Sequence, residues 1–119
     1  MTSFIISASQ GTNDPTMASL PFIAAKSAGE SGHDVVLWLW NEAVTLAREG
    51  VADHVAGVNL TPLSELLMAV QLAGIPIWVC GACAVARGIG VEDLVAGSEI
   101  KAMPDFIAAV AERDRNVSF

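Results

Sequence analysis

Six consecutive residues, Val35-Val36-Leu37-Trp38-Leu39-Trp40, are apolar at every position. A strand with one wet face alternates apolar and polar side chains, whereas a parallel strand covered on both faces reads as an unbroken apolar run. The segment therefore predicts a parallel strand with a helical layer on either side. Phe4-Ile5-Ile6 opens another such strand, and Ile77-Trp78-Val79 reads as a central one. Pro76 can only begin it, because proline has no N–H to give to a ladder. Gly97–Lys101 and Arg115–Phe119 read as two further short strands.

The segments between carry helix punctuation. Asp14 is the N-cap and Pro15 the first residue of a helix that presents Met17, Leu20, Ile23, Ala24 and Ser27 on one face and ends near Gly29 or Gly32. Pro21 falls inside that pattern and predicts a kink or a start one turn later. Asn41 and Glu42 open a helix through Arg48. Thr61 as N-cap, Pro62 as first helical residue and Gly74 just past the end bracket a helix carrying Leu63, Leu66, Leu67, Val70 and Ala73. An Ala-rich helix follows Cys80 and stops at Gly88 and Gly90, Glu92 to Val95 form one more turn, and Pro104 starts a last helix through Phe106, Ile107, Val110 and Ala111. Strands alternating with helices over short connections define an α/β protein, a three-layer α/β/α sandwich about a parallel sheet. With no repeat and no linker, residues 1–119 read as a single domain.

Composition narrows the function classes. The net charge is −7, and the six basic residues are scattered, so nothing is available to neutralise a run of phosphates. Nucleic acid and anionic membrane surfaces are disfavoured as partners. No apolar run approaches the roughly 20 residues of a membrane span, and the N-terminus lacks a basic leader, which reads as cytoplasmic. The chain is 53% hydrophobic and 16% charged, more apolar than a usual domain of this size, which points to a buried subunit contact. Trp38 and Trp40 share one face of their strand and Trp78 comes from another; all three read as core or subunit-contact residues.

Both cysteines lie in Cys80-Gly81-Ala82-Cys83, where a buried strand hands over to helical sequence. A helix N-terminus favours a thiolate, so this placement predicts a lowered thiol pKa at Cys80. Cys83 lies one turn on, close enough for a disulfide. A pair so spaced suits a reducing compartment and redox or catalytic chemistry. A closed zinc site would need about four ligands. Only His33 and His54 could add to the thiols, and neither has ligand-like spacing, so no metal is expected. His54, in an irregular stretch from Gly50 to Asn59, reads as solvent-facing.

Ligands of parallel sheets gather at the carboxyl ends of the strands. The loop 9–15, Asn41 with Glu42, and Cys80 all follow strands, so they share one edge. Asn13, Asn41 and Cys80 are expected to converge there in a shallow pocket, with Asn13 and Asn41 as polar walls. Asp14 reads as a cap before it reads as catalytic. Arg87, four residues after Cys83, stands on that thiol's helical face and reads equally as a structural ion pair or a site residue.

On Asn13-Asp14-Pro15, Leu20-Pro21-Phe22, Gly32-His33, Cys80-x-x-Cys83-x-x-x-Arg87-Gly88-Ile89 and the closing Asp114-Arg115 to Phe119, the chain resembles the DsrE/DsrF-like proteins over nearly its whole length. It is most similar to the YchN-like branch, which also looks like a C-x-x-C group. The resemblance implies a five-stranded, mainly parallel sheet and a homotrimer or homohexamer with cysteine loops near the subunit contacts. In the related sulfur-relay proteins one cysteine seven residues before the arginine carries persulfide sulfur, and Cys80 holds that position. Cys83 is an addition those carriers typically lack.

Three readings follow. A sulfur carrier would load Cys80, a sulfurtransferase-like role, and exchange with a protein donor or acceptor without a cofactor. A thiol-disulfide or peroxide-reducing protein would use Cys80 as attacker and Cys83 as resolver. It would not be a peroxiredoxin as such, since Ile77 stands where those sites look like Thr-x-x-Cys. The third reading is a non-catalytic oligomeric binding module in which the thiols only pack.

Overall fold

The computed structural model describes residues 1–119. The strands are β1 (Ser3–Ala8), β2 (Asp34–Leu39), β3 (Ile77–Cys80), β4 (Ser98–Lys101) and β5 (Arg115–Ser118). The helices are α1 (Pro15–Glu30), α2 (Leu63–Leu72), α3 (Gly81–Ala86) and α4 (Met103–Glu112). The five strands form one sheet in the order β4-β3-β2-β1-β5. Each neighbouring pair is parallel. The α/β/α sandwich read from the chain is the fold observed. The apolar run supplies the geometric centre, β2, while β3 is interior and one strand from the edge.

The strand order fixes the layers. The steps β1 to β2, β2 to β3 and β3 to β4 all run the same way across the sheet, and only β4 to β5 returns. Crossovers between parallel strands are right-handed, so α1, α2 and α3 cover one face and α4 the other. Side-chain contacts agree with that division. Phe106 of α4 stacks on Trp38 at 4.8 Å between ring centroids and lies tilted against Trp40 at 5.0 Å. Trp38 and Trp40 lie on the α4 face, 6.1 Å apart. Leu37 and Leu39, alternating with them, are buried on the face of α1 and α2. Trp78 is in register with Trp38, so the same period of two puts Cys80 on the α4 side of β3. Trp78 is only half-buried, with the Lys101 ammonium 5.2 Å above its ring.

Local chemistry sets the element ends. The Asp14 carboxylate accepts the Met17 N–H at 3.1 Å and caps α1, with Pro15 as its first residue. The helix then runs to Glu30 through Pro21, neither starting late nor breaking there. Pro21 is buried, and packing of this helix against β1 and β2 offsets the one backbone hydrogen bond that proline removes. The second cap differs from expectation by one residue. Pro62 occupies the cap position of α2, Leu63 is the first helical residue, and no side chain caps the end. The Asn41–Ala47 segment is a 3₁₀ helix, not an α-helix, and Val91–Asp93 is a 3₁₀ turn. The Gly50–Asn59 stretch contains a short 3₁₀ turn, Ala52–His54. Gly74 follows α2 at a φ of +71°, a left-handed conformation that glycine adopts without strain. Asp114 secures the entry of β5 to β1, accepting the Ser3 N–H at 2.9 Å and its hydroxyl at 3.2 Å, which holds its carboxyl below the ordinary carboxylate range. No helix is long and apolar enough to cross a membrane.

Candidate functional site

The carboxyl ends of β1, β2, β3 and β4 meet at one edge, and both cysteines are there. Cys80 ends β3 and is the cap residue of α3; it is 5% exposed. Cys83, one turn later, is half-buried, and both thiols are free. Although only two residues separate them, the two sulfurs belong to different surroundings.

Cys80 opens onto a cavity of about 400 Å³ between β3, the end of β4 and the start of α4, lined also by Gly81, Ile100, Lys101, Met103 and Asp105. The lining is mostly apolar. Lys101 is in register with Cys80, and its ammonium pairs with Glu99 at 3.1 Å. Burial is the largest influence on the Cys80 thiol and pushes it above the ordinary value of 9.0; the neighbouring Cys83 thiol adds to the rise. The backbone N–H groups of Cys83 and Ala82 act the other way, stabilising the anion, but do not prevail. The expected lowering at Cys80 is therefore overturned: α3 is six residues long, and α4 and β4 remove more water than its few amides replace.

Cys83 faces the end of β2. Its Sγ accepts the Asn41 N–H at 3.2 Å, and Asn41 adopts a φ of +54° to aim that group. Asparagine is among the few residues that take a left-handed conformation readily. The Asn41 side chain ties in the first loop, donating from Nδ2 to the Ser9 carbonyl at 3.2 Å. Arg87 completes the cluster. Its Nε and Nη2 donate to one oxygen of Glu42 at 2.9 and 2.6 Å, Nη1 to the Cys83 carbonyl at 3.0 Å, and Nη2 to Asn41 Oδ1 at 3.3 Å. One guanidinium thus joins the 3₁₀ segment after β2 to the cysteine helix.

Of the residues singled out in the sequence, Asn41, Cys83 and Arg87 come together, with Cys80 beside them. The expected pocket of Asn13, Asn41 and Cys80 does not form: the Cys80 cavity opens towards β4 and α4, while Asn41 lies on the Cys83 side. Asn13 turns into its own loop, accepting the Gly11 N–H at 2.8 Å and donating to Gln10 Oε1 at 2.6 Å. Asp14 serves as the helix cap. His33 Nδ1 accepts the Thr2 N–H, its ring lying 5.2 Å from Phe4, while His54 is exposed at the surface. Lys101 went unread, although it ends β4 at an edge already singled out for the other strands. Glu42 was placed on that edge, but its pairing with Arg87, as the anion that a half-buried arginine needs, was not read.

The thiol environments predict a reactivity order. Iodoacetamide at neutral pH should label Cys83 before Cys80, because Cys83 is the more exposed, and labelling of Cys80 should rise as the pH passes 9; peptide mapping reads both. A thiol whose folded value is raised supports the fold while protonated, and that contribution is lost as pH rises from the unfolded to the folded value. Stability to urea should therefore fall above pH 9, and fall less in Cys80→Ala.

The fold and site together define a parallel α/β sandwich with two free thiols in C-x-x-C spacing at the carboxyl edge of its sheet. The DsrE/DsrF-like family profile matches residues 2–119, and the chain belongs to that family. It is 44% identical over 55 residues to uncharacterized protein MJ0989 of Methanocaldococcus jannaschii, covering 46% of this chain and 48% of the relative. Uncharacterized protein MJ0760 of the same organism is 30% identical over 104 residues, 87% of this chain but 38% of the relative. The chain thus spans about half or less of these two relatives. In structure it is similar to the YchN protein of E. coli, with a TM-score of 0.85 and full coverage of both chains. At 21% identity that likeness concerns the fold.

Proposed function

We propose that the protein traffics sulfur, holding it as a persulfide on Cys80 and passing it to a partner. The observation that carries this reading is the cavity: Cys80 is the one thiol lining a chamber of about 400 Å³. That volume admits an added sulfur and the end of a donor, and its lining is mostly apolar. Membership of the DsrE/DsrF-like family supports the same class of chemistry. In the loading step the Cys80 thiolate attacks the outer sulfur of a donor persulfide, the donor leaves as a thiol, and no cofactor or oxidant is consumed. A raised thiol value leaves less thiolate at neutral pH, but the thiolate that forms is the stronger nucleophile. The backbone N–H groups of Ala82 and Cys83 receive the negative sulfur.

Incubation with a persulfide donor should add about 32 Da per sulfur to the intact mass, reversible by dithiothreitol. A second reading rests on the C-x-x-C pair itself, two free thiols one turn apart. In a thiol-disulfide protein, mild oxidant would instead remove about two mass units, through a Cys80–Cys83 disulfide, and donors would add nothing. The working protein is expected to be a homotrimer or homohexamer in the cytoplasm. Large apolar side chains left exposed outside the cavity lining, among them Leu72, Val85 and Ile107, support a subunit contact. A monomer mass by light scattering at micromolar concentration would remove that part of the proposal.

A further inference from the structure

We infer, building on the carrier reading, that the C-x-x-C pair is a two-station relay: sulfur enters on Cys80 through the β4–α4 cavity, moves to Cys83, and leaves on the side of Asn41 and Arg87.

The two thiols are neighbours, yet each meets different surroundings on its far side. Cys80 lines the cavity and Cys83 does not. Cys83 is the more exposed, and its sulfur is fixed by the N–H of Asn41. A carrier that loaded and unloaded through the same mouth would use neither feature. The side towards Asn41 is built with some effort. A non-glycine residue is held at a φ of +54°, its side chain bonded to Ser9 and Arg87, and Arg87 is clamped in turn on Glu42 and the Cys83 carbonyl. Two of these contacts reach Cys83 itself, the Asn41 N–H at its sulfur and Arg87 at its carbonyl, and none involves Cys80.

The transfer balances without a further reactant. The Cys83 sulfur, as thiolate, attacks the outer sulfur of the Cys80 persulfide. The S–S bond at Cys80 breaks, a new one forms at Cys83, and the Cys80 thiolate that leaves takes up the proton Cys83 gave. Nothing is oxidised or reduced overall: one persulfide and one thiol become one thiol and one persulfide. Charge gives the direction. A persulfide loses its proton more readily than a thiol, so a loaded Cys80 places an anion in a mostly apolar pocket whose one cation, Lys101, is already paired with Glu99. Transfer moves that anion to the wetter station and returns Cys80 to the neutral thiol that burial favours.

Glutathione persulfide serves as the probe on the whole protein. Samples are quenched with iodoacetamide at graded times, digested, and fragmented so that the two cysteines are read separately. With one equivalent of donor, the added sulfur in the wild type should appear on Cys80 first and then accumulate on Cys83, with total sulfur per chain steady once the donor is spent. Cys83→Ser should hold its sulfur on Cys80, and Cys80→Ser should load at least tenfold more slowly, because the cavity seats the donor persulfide against Cys80 whereas iodoacetamide needs no seat and follows exposure. The wild-type time course needs no variant, so a poorly folding Cys80→Ser leaves the question decidable. Sulfur that loads on Cys80 and stays there overturns the relay and leaves the carrier standing. Equal loading rates in Cys80→Ser and the wild type also overturn it. So does release of sulfide with a Cys80–Cys83 disulfide, because Cys83 would then have attacked the inner sulfur. If no sulfur is taken up by any form, the carrier and the relay fall together.

Discussion

Trp38→Ala should lower stability by about 3–5 kcal/mol, a drop in melting temperature on the order of 10–20 °C. Trp38 is fully buried in the middle strand of the sheet. It touches Trp40 edge-on, at 72° between ring planes, and Phe106 nearly face to face, at 28°. Its removal opens a cavity that a sheet hydrogen-bonded on both sides cannot close. It also takes away two aromatic contacts, each contributing about 0.5–1.5 kcal/mol beyond area alone. Phe106 lies one turn beyond Met103, so the loss should loosen the wall of α4 that encloses Cys80. Trp38→Phe isolates the packing part. The indole Nε1 is buried without a hydrogen-bond partner, a burden of about 1–3 kcal/mol that phenylalanine relieves while giving up some volume. Trp38→Phe should therefore melt within a few degrees of the wild type. A Trp38→Ala protein that melted with the wild type, measured at equal concentration, would remove the aromatic cluster from the core.

How much of this could be read from the chain depends on whether the cause was local. β2 announced itself because six apolar residues in a row suit a strand covered on both faces, and the start of α1 because Asp14 and Pro15 form a cap within two residues. Pro21 was misread because the local rule counts the lost hydrogen bond and not the burial of α1 against the sheet. Thr61 resembled a cap, yet Pro62 fills that position and the helix begins after it. The tryptophans looked alike in the sequence but separate in the fold: Trp38 lies under α4, whereas Trp78 is half-buried beneath an ammonium.

The site divides the same way. Asn41 and Arg87 could be singled out because strand ends and helical spacing are properties of the sequence. The direction of the Cys80 pKa could not, because the water around that sulfur is removed by Ile100, Met103 and their neighbours, residues 20 or more positions away. Nor could the separation of the two thiols. Spacing says that Cys80 and Cys83 are one turn apart; only the placement of β4 and α4 on one side, and of Asn41 on the other, gives them different surroundings.

Gly11→Ala should be the most damaging small substitution at the edge of the site. Gly11 needs no unusual backbone angle; what it needs is the absence of a side chain. A Cβ there would collide with the backbone carbonyl oxygen of Glu42 and come within 2.8 Å of Thr45 Oγ1 and 2.9 Å of the Glu42 carbonyl carbon. These atoms belong to the 3₁₀ segment, where the Thr45 hydroxyl already donates to that same carbonyl at 2.7 Å. A backbone cannot swing aside as a side-chain tip can, so the loop after β1 and the segment after β2 must part. Overpacking of this kind costs about 1–3 kcal/mol. Displacing Glu42 also pulls on Arg87 and on the Asn41 N–H that holds Cys83. Cys83 should then be alkylated several-fold faster than in the wild type, while Cys80, packed against β4 and α4, should change little. Gly29→Ala is the matched control, since its Cβ would meet only the Ile75 side chain, at 3.0 Å from Cδ1, and a flexible tip can move. Alanine in a helix is favoured over glycine by roughly 0.5–1 kcal/mol, so Gly29→Ala should melt at or slightly above the wild type. Equal melting of Gly11→Ala and Gly29→Ala, with Cys83 labelling unchanged, would show that the first loop does not brace the cysteine site.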